Sequence, residues 1–230
     1  MSNPILEIEN LSGGYGDLVV VRDISLSVWE GHAISLTGRN GVGKTTLMRL
    51  ISGSLPLAGG TVRFLGTSIG GIAEHKRFAL GISCAPQERI VFDGLTVEDN
   101  LTLHYQESDL ERYANLFEKF PRLHERLGQR AGTLSGGEKK LLSFTRAIAE
   151  PTRLVLLDEP TEGVQSDNIK LMAQVITEEK TKERGFLIVD QNLTFLEAIT
   201  DTIHLIDHGE QIYQTDEASF RAAIESRISI

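Results

Sequence analysis

The eight residues Gly38-Arg39-Asn40-Gly41-Val42-Gly43-Lys44-Thr45 constrain this chain more than any other stretch. They fit the pattern G-x-x-x-x-G-K-[ST], and they stand where that pattern works, between a strand and a helix. The apolar run His32-Ala33-Ile34-Ser35-Leu36 leads in, and Thr45-Thr46-Leu47-Met48-Arg49-Leu50-Ile51 leads out with helical character. Glycines let successive backbone N–H groups turn towards a polyphosphate. The helix start adds roughly half a positive charge. Lys44 offers a cation to the β- and γ-phosphates, and Thr45 a hydroxyl to Mg2+.

The chain has 230 residues, room for one sizeable domain with an inserted subdomain. A net charge of −9 argues against a general nucleic-acid binder, so no nucleic-acid partner is expected. The single cysteine, Cys84, cannot form an internal disulfide, and its apolar run marks it as a buried structural thiol. No stretch approaches the ~18 apolar residues of a membrane span. Met1-Ser2-Asn3-Pro4 lacks a basic region followed by an apolar core, so no signal peptide is expected. Work at a membrane would need a partner.

Residues 5–30 have β character, and Ile24-Ser25-Leu26-Ser27-Val28 alternates as a half-buried strand should. Thr61-Val62-Arg63-Phe64 predicts another strand, with Gly59-Gly60 and Gly66 as turn signals. Leu154-Val155-Leu156-Leu157, Phe186-Leu187-Ile188-Val189 and Ile203-His204-Leu205-Ile206 predict buried parallel strands. Ile169, Met172 and Ile176 at helical spacing join the first two into a βαβ unit. From about residue 95 to 149 the pattern is helical, with Leu110, Tyr113 and Phe117, then Leu141, Phe144 and Ile148, as core positions. The expectation is one α/β domain over 1–230. Residues 1–87 and 150–230 form a phosphate-loop core with a mainly parallel sheet and an N-terminal antiparallel β subdomain. A helical subdomain is inserted over about 88–149.

Leu156-Leu157-Asp158-Glu159 ends an apolar strand with two acids, at the kind of strand end where open α/β sheets place ligands. Asp158 is the candidate metal carboxylate and Glu159 the candidate base for water attack on a γ-phosphate. Leu134-Ser135-Gly136-Gly137-Glu138 contains a capping box, Ser135 at the N-cap and Glu138 three residues on. The helix that follows would present bare N–H groups, and Gly136 and Gly137 keep no phosphate away.

Together these motifs resemble the ATP-binding cassette ATPases, and the likeness extends from about Ile5 to about Thr215. In that family two cassettes pair head-to-tail around two ATP molecules. The resemblance implies ATP and Mg2+ as ligands. It places Gly38, Arg39, Asn40, Gly41, Val42, Gly43, Lys44, Thr45 and Thr46 around the phosphates, and Tyr15 on the adenine. It places Thr45, Gln87 and Asp158 on the metal, and Glu159, Gln87 and Gln191 at the reacting water and γ-phosphate. Ser135, Gly136 and Gly137 would complete the ATP site of a second cassette, identical or different. The implied partners are transmembrane permease subunits at the cytoplasmic face of the membrane, with a solute-binding protein acting indirectly.

Two positions depart from the usual family pattern. The switch histidine is replaced by Gln191, and the loop after Pro160-Thr161 holds Glu162-Gly163-Val164-Gln165 where an aspartate is usual. The Val189-Asp190-Gln191-Asn192 setting resembles importers of branched-chain amino acids and of urea or short amides. So does Arg89-Ile90-Val91-Phe92 followed by Leu95–Leu101, and the surface Arg89–Leu103 is the expected permease contact. Gly38–Gly43, Pro86-Gln87 and Asp158–Gln165 look more like the urea type. The resemblance therefore points first to a urea or short-amide importer and second to a branched-chain amino acid importer. A soluble cassette of an assembly complex, such as iron–sulfur cluster biogenesis, is the rival from another class.

Overall fold

The alternation at Ile24–Val28 does form a half-buried strand, with Ile24, Leu26 and Val28 buried and Ser25 exposed. The computed structural model describes residues 4–88, 90–105 and 109–228. β1 (Leu6–Tyr15) pairs antiparallel with β2 (Leu18–Val28). β3 (Ala33–Thr37) is buried at every residue and runs into the glycine-rich loop, from which α1 (Lys44–Ser52) starts. β4 (Leu57–Phe64) and the short β5 (Thr67–Ser68) complete a four-stranded antiparallel sheet in the order β2-β1-β4-β5. Gly59 and Gly60, expected as a turn, instead lie inside β4. The β1–β4 register slips between Glu9 and Ser12, and Gly60 takes φ +80° opposite that slip, so the glycines serve a bulge.

α2 (Glu74–Arg77) and β6 (Ile82–Ala85) lead into the helical stretch. That stretch is a chain of short helices ended by a long one: α3 (Val97–Thr102), α4 (Ala114–Lys119), α5 (Pro121–Glu125) and α6 (Gly136–Ala149). α3 starts at a capping box between Thr96 and Asp99, each backbone N–H meeting the other's side chain at 3.0 Å. Pro121 starts α5 and cannot continue α4, which separates the two. Tyr113, Phe120 and Phe144 are fully buried, and the last two rings meet edge-to-face at 6.3 Å. Tyr113 and Phe144 pack the core as the sequence pattern predicts, Phe120 joins them, and the expected Leu110 and Phe117 are only partly buried against it.

β7 (Leu154–Asp158), α7 (Ser166–Lys180) and β8 (Gly185–Val189) form the expected βαβ unit, with β7 and β8 parallel. α8 (Leu193–Ile199), β9 (Thr202–Asp207), β10 (Glu210–Thr215) and α9 (Arg221–Ile228) close the chain. The larger sheet has the order β10-β9-β3-β8-β7-β6, parallel except for β10. Its central strands alternate between two cores. Val155, Leu157, Phe186 and Ile188 face a cluster containing residues of α6, α7 and α8. Leu154, Leu156, Leu187 and Val189 face a cluster containing residues of α1 and the antiparallel sheet. Both faces being covered explains the continuous apolar runs. No helix among the described residues is long and apolar enough to cross a membrane.

Candidate active site

β3, β6, β7 and β8 run parallel, so their C-terminal ends meet along one edge of the sheet. A crevice at that edge is where such sheets bind ligands. The glycine-rich loop follows β3, Gln87 follows β6, Asp158 ends β7 with Glu159 directly after it, and Gln191 follows β8.

The loop wraps its own lysine. Lys44 is buried, and its Nζ donates to the carbonyl oxygens of Gly38 at 2.8 Å and Arg39 at 2.7 Å. Burial lowers the Lys44 pKa, while Glu159, Asp158 and Asp190 nearby push it back up. α1 has no side-chain cap: its N-cap is Gly43 at φ +110°, so the first N–H groups face no competing side-chain oxygen. Val42 in the loop and Thr46 in the first turn of α1 are buried, whereas Gly41 is exposed. Arg39 turns away and donates its Nε to the Ile228 carbonyl oxygen at 2.8 Å, at the end of α9. Asn40 accepts from Gln191 Nε2 at 2.6 Å.

A relay of side chains joins the loop to the acids. Thr45 Oγ1 donates to Gln87 Oε1 at 2.8 Å, and Gln87 Nε2 donates to Glu159 Oε2 at 2.8 Å. Gln191 Nε2 donates to the other Glu159 oxygen at 3.0 Å. Two amides therefore orient one carboxylate. The Glu159 backbone sits at φ +49°, a left-handed conformation uncommon outside glycine and often found where geometry serves function. Asp158 is buried, and its Oδ1 has no hydrogen-bond partner. It lines, with Thr45 and Gln87, a cavity of about 500 Å3. An orphaned buried carboxylate oxygen beside a hydroxyl and an amide oxygen is a donor set suited to a hard divalent cation such as Mg2+. Burial, with the Glu159 charge second, pushes the Asp158 carboxyl up to about 7, against the opposing pull of Lys140, Arg49 and Lys44.

Two further residues belong to this edge and carry no motif of their own. Asp190 is buried, accepts from the Thr161 N–H at 3.1 Å and hydroxyl at 2.8 Å, and caps the backbone N–H groups of Gln191 and Asn192. Its signal was present, since an apolar strand ends in an acid there just as at Asp158. Lys140 on α6 donates to the Glu159 carbonyl oxygen.

The Ser135 turn lies elsewhere. The capping box forms as predicted: the Glu138 N–H donates to Ser135 Oγ at 3.3 Å and the Ser135 N–H to Glu138 Oε2 at 2.9 Å. Ser135 and Gly136 are exposed at the start of the 14-residue α6. None of Ser135, Gly136 and Gly137 lines the cavity at Thr45 or the one at Glu159. Tyr15 ends β1, is 43 % exposed, and its hydroxyl accepts from Arg49 on α1 at 3.1 Å.

Residues 21–162 match the family model described as ABC transporter. The chain belongs to the ABC transporter ATP-binding family. Over 209 residues this ABC subunit is 33% identical to the high-affinity branched-chain amino acid transport ATP-binding protein BraG of Pseudomonas aeruginosa, covering 89% of this chain and 90% of that one. It is also 33% identical over 217 residues to the lipopolysaccharide export system ATP-binding protein LptB of Haemophilus influenzae, covering 90% and 89%. A solved ATP-binding subunit of an ABC transporter superposes with a TM-score of 0.84 at 25% identity, covering 97% and 94% of the two chains. The ABC subunit binds and hydrolyses ATP, and its family couples hydrolysis to transport through membrane components.

The doubled amide contact on Glu159 makes a graded prediction for this ABC subunit. Gln191→Ala removes one of two donors and leaves Gln87 in place. The expected loss of kcat is about tenfold, well below that of removing the Glu159 carboxylate. Steady-state hydrolysis by the two variants compares them, and equal losses would show that the amide itself is required.

Proposed function

We propose that this chain is the ATP-hydrolysing subunit of an importer for branched-chain aliphatic amino acids. The observation that carries this reading is the likeness to BraG over nearly the full length of both chains. Gln191 in its Val189-Asp190-Gln191-Asn192 setting supports it. Urea or short amides, favoured by details of the loop motifs, take a lesser place because the BraG likeness adds nothing to them. A role in lipopolysaccharide export is the second reading, favoured by the equal identity to LptB.

In this reading Lys44 and the loop N–H groups hold the β- and γ-phosphates, and Tyr15 stacks on the adenine. Thr45, Gln87 and Asp158 hold Mg2+, which when bound draws charge from the phosphate oxygens. A water held by Glu159 attacks the γ-phosphorus, the bond to the bridging oxygen breaks, and ADP leaves. Glu159 takes the water's proton, because the Gln191 amide donates a hydrogen bond but cannot relay a proton. Ser135, Gly136 and Gly137 close on the ATP of a second cassette, a copy of this chain or a sister subunit. The permease docks on the segment after Gln87 from the inner face of the membrane, and the solute-binding protein acts through it. Phe92 is 57 % exposed and Leu103 40 %, which leaves apolar surface for that contact. Arg89, also expected there, lies outside the described residues.

Pull-down of the tagged full-length chain from detergent-solubilised native membranes tests the assignment. Recovery of a multi-span permease with a sister cassette is the expected result. Recovery of lipopolysaccharide-export components would favour the second reading, and recovery of soluble assembly proteins alone would overturn both.

A further inference from the structure

Lys140 is a buried lysine whose task no motif explains. It lies on α6, five residues past Ser135, and is 7 % exposed. Its ammonium is held mainly by backbone. Nζ donates to the Glu159 carbonyl oxygen at 3.0 Å and to the Gln87 carbonyl oxygen at 3.2 Å. Its ion-pair contact is the Glu162 carboxylate, 3.5 Å away and 60 % exposed, and the Asp158 charge also feels the ammonium. A buried ammonium is costly unless its donors are satisfied, and here three separate segments satisfy it. These are the turn after β6, the end of β7 and the loop after Pro160.

The contacts close a ring around the reacting carboxylate. Lys140 holds the Gln87 carbonyl, the Gln87 amide holds the Glu159 carboxylate, and the Glu159 carbonyl returns to Lys140. Glu159 is also the residue whose backbone stands at φ +49°, where a fixed carbonyl sets the direction of the side chain. One turn earlier on α6, Gly137 approaches the Glu162–Gly163 loop so closely that a Cβ there would lie 2.2 Å from the Gly163 carbonyl oxygen. The same helix face thus packs on the loop and reaches the strand end.

We propose that Lys140 is a positioning residue for ATP hydrolysis. It clamps the Gln87 and Glu159 carbonyls so that the Glu159 carboxylate meets the attacking water, and it makes α6 the element that sets this geometry. The proposal rests on Glu159 acting as the base.

The test uses the full-length protein with MgATP. Lys140→Met keeps the length and removes the donors, whereas Lys140→Arg keeps a cation that can span two carbonyls. Steady-state kcat and KM, and the binding of a fluorescent ATP analogue, are measured per folded molecule. The expected result is a kcat reduced about 10- to 100-fold in Lys140→Met with KM and analogue binding within about twofold of wild type, and most of kcat restored in Lys140→Arg. A merely structural role would reduce the folded fraction without this kcat-only loss and without rescue. Wild-type kcat in Lys140→Met, equal impairment of both variants, or a parallel rise in KM would overturn the proposal. If Lys140→Met does not fold, Lys140→Arg is compared with Lys140→Gln: higher kcat in the arginine variant is expected, and equality overturns. Glu159→Gln, run alongside, separates the two failures. Normal turnover there sinks the base role, while loss there with normal Lys140→Met sinks the clamp alone.

Discussion

Glu159→Gln is expected to keep ATP binding within about twofold of wild type and to cut kcat by about 10²- to 10⁴-fold. The carboxylate stands between two amide donors, Gln87 Nε2 on one oxygen and Gln191 Nε2 on the other. Both contacts orient it, and nucleotide affinity is expected to rest chiefly on the Lys44 loop. Glutamine has the same shape and fits the same backbone at φ +49°. It loses the proton acceptor, and its NH2 group now faces one of the amide donors. Neutralising an acid beside Asp158 and Lys44 also leaves the local charge less negative, which favours a polyphosphate and not its hydrolysis. Equilibrium binding of an ATP analogue together with single-turnover hydrolysis measures the two quantities separately. Wild-type turnover would remove Glu159 from the chemistry, and lost binding would make it part of the phosphate site.

Asp158→Asn is expected to move stability and activity in opposite directions. The Asp158 carboxyl is pushed up to about 7 from an ordinary value of 3.8, chiefly by burial. Between those values the folded chain holds a proton that the unfolded chain has lost, so stability falls as pH rises. The favourable contribution is complete below the unfolded pKa and is gone once pH passes the folded one. Asparagine is neutral throughout and escapes this loss. In metal-free buffer at pH 8 the variant should therefore be more stable by on the order of 2–4 kcal/mol, a rise in Tm of ~5–10 °C for a chain of this size. At pH 5 the gap should shrink to less than half, and it should vanish only once pH falls below the unfolded value of 3.8. With MgATP the same variant should lose turnover about 100-fold, because the orphaned Oδ1 that suits a cation becomes part of an amide. Thermal melts across pH in a chelator check the first half. A variant less stable than wild type at pH 8 would show that Asp158 is held by interactions that burial does not outweigh.

Local chemistry made much of this protein legible. β3, β7 and β8 announce themselves as apolar runs because both faces of the sheet are covered. The Ser135–Glu138 box forms within four residues, so sequence alone could state it. β10 escaped notice because its residues alternate around a polar set, Glu210, Gln211 and Gln214, at the sheet edge. Gly59 and Gly60 signalled a turn by type, whereas the pairing of β4 with β1 converts that signal into a bulge. Thr45, Gln87, Asp158, Glu159 and Gln191 could be named one by one from motifs, yet the doubled amide grip on Glu159 depends on how parallel strand ends align. Lys140 lies further from reach. Nothing in its neighbours distinguishes it from the partly exposed Lys139, and only the approach of α6 to the end of β7 and the turn after β6 buries it against two carbonyls.

Solute uptake by cells lacking this chain tests the proposed role most directly. Labelled leucine and labelled urea would be supplied in parallel, to cells complemented with wild type, with Glu159→Gln or with neither. Leucine uptake should be lost without the chain, return with wild type and not return with Glu159→Gln, while urea uptake stays unchanged throughout. Leucine uptake that persists without the chain, with or without a loss of urea uptake, would contradict the proposed role.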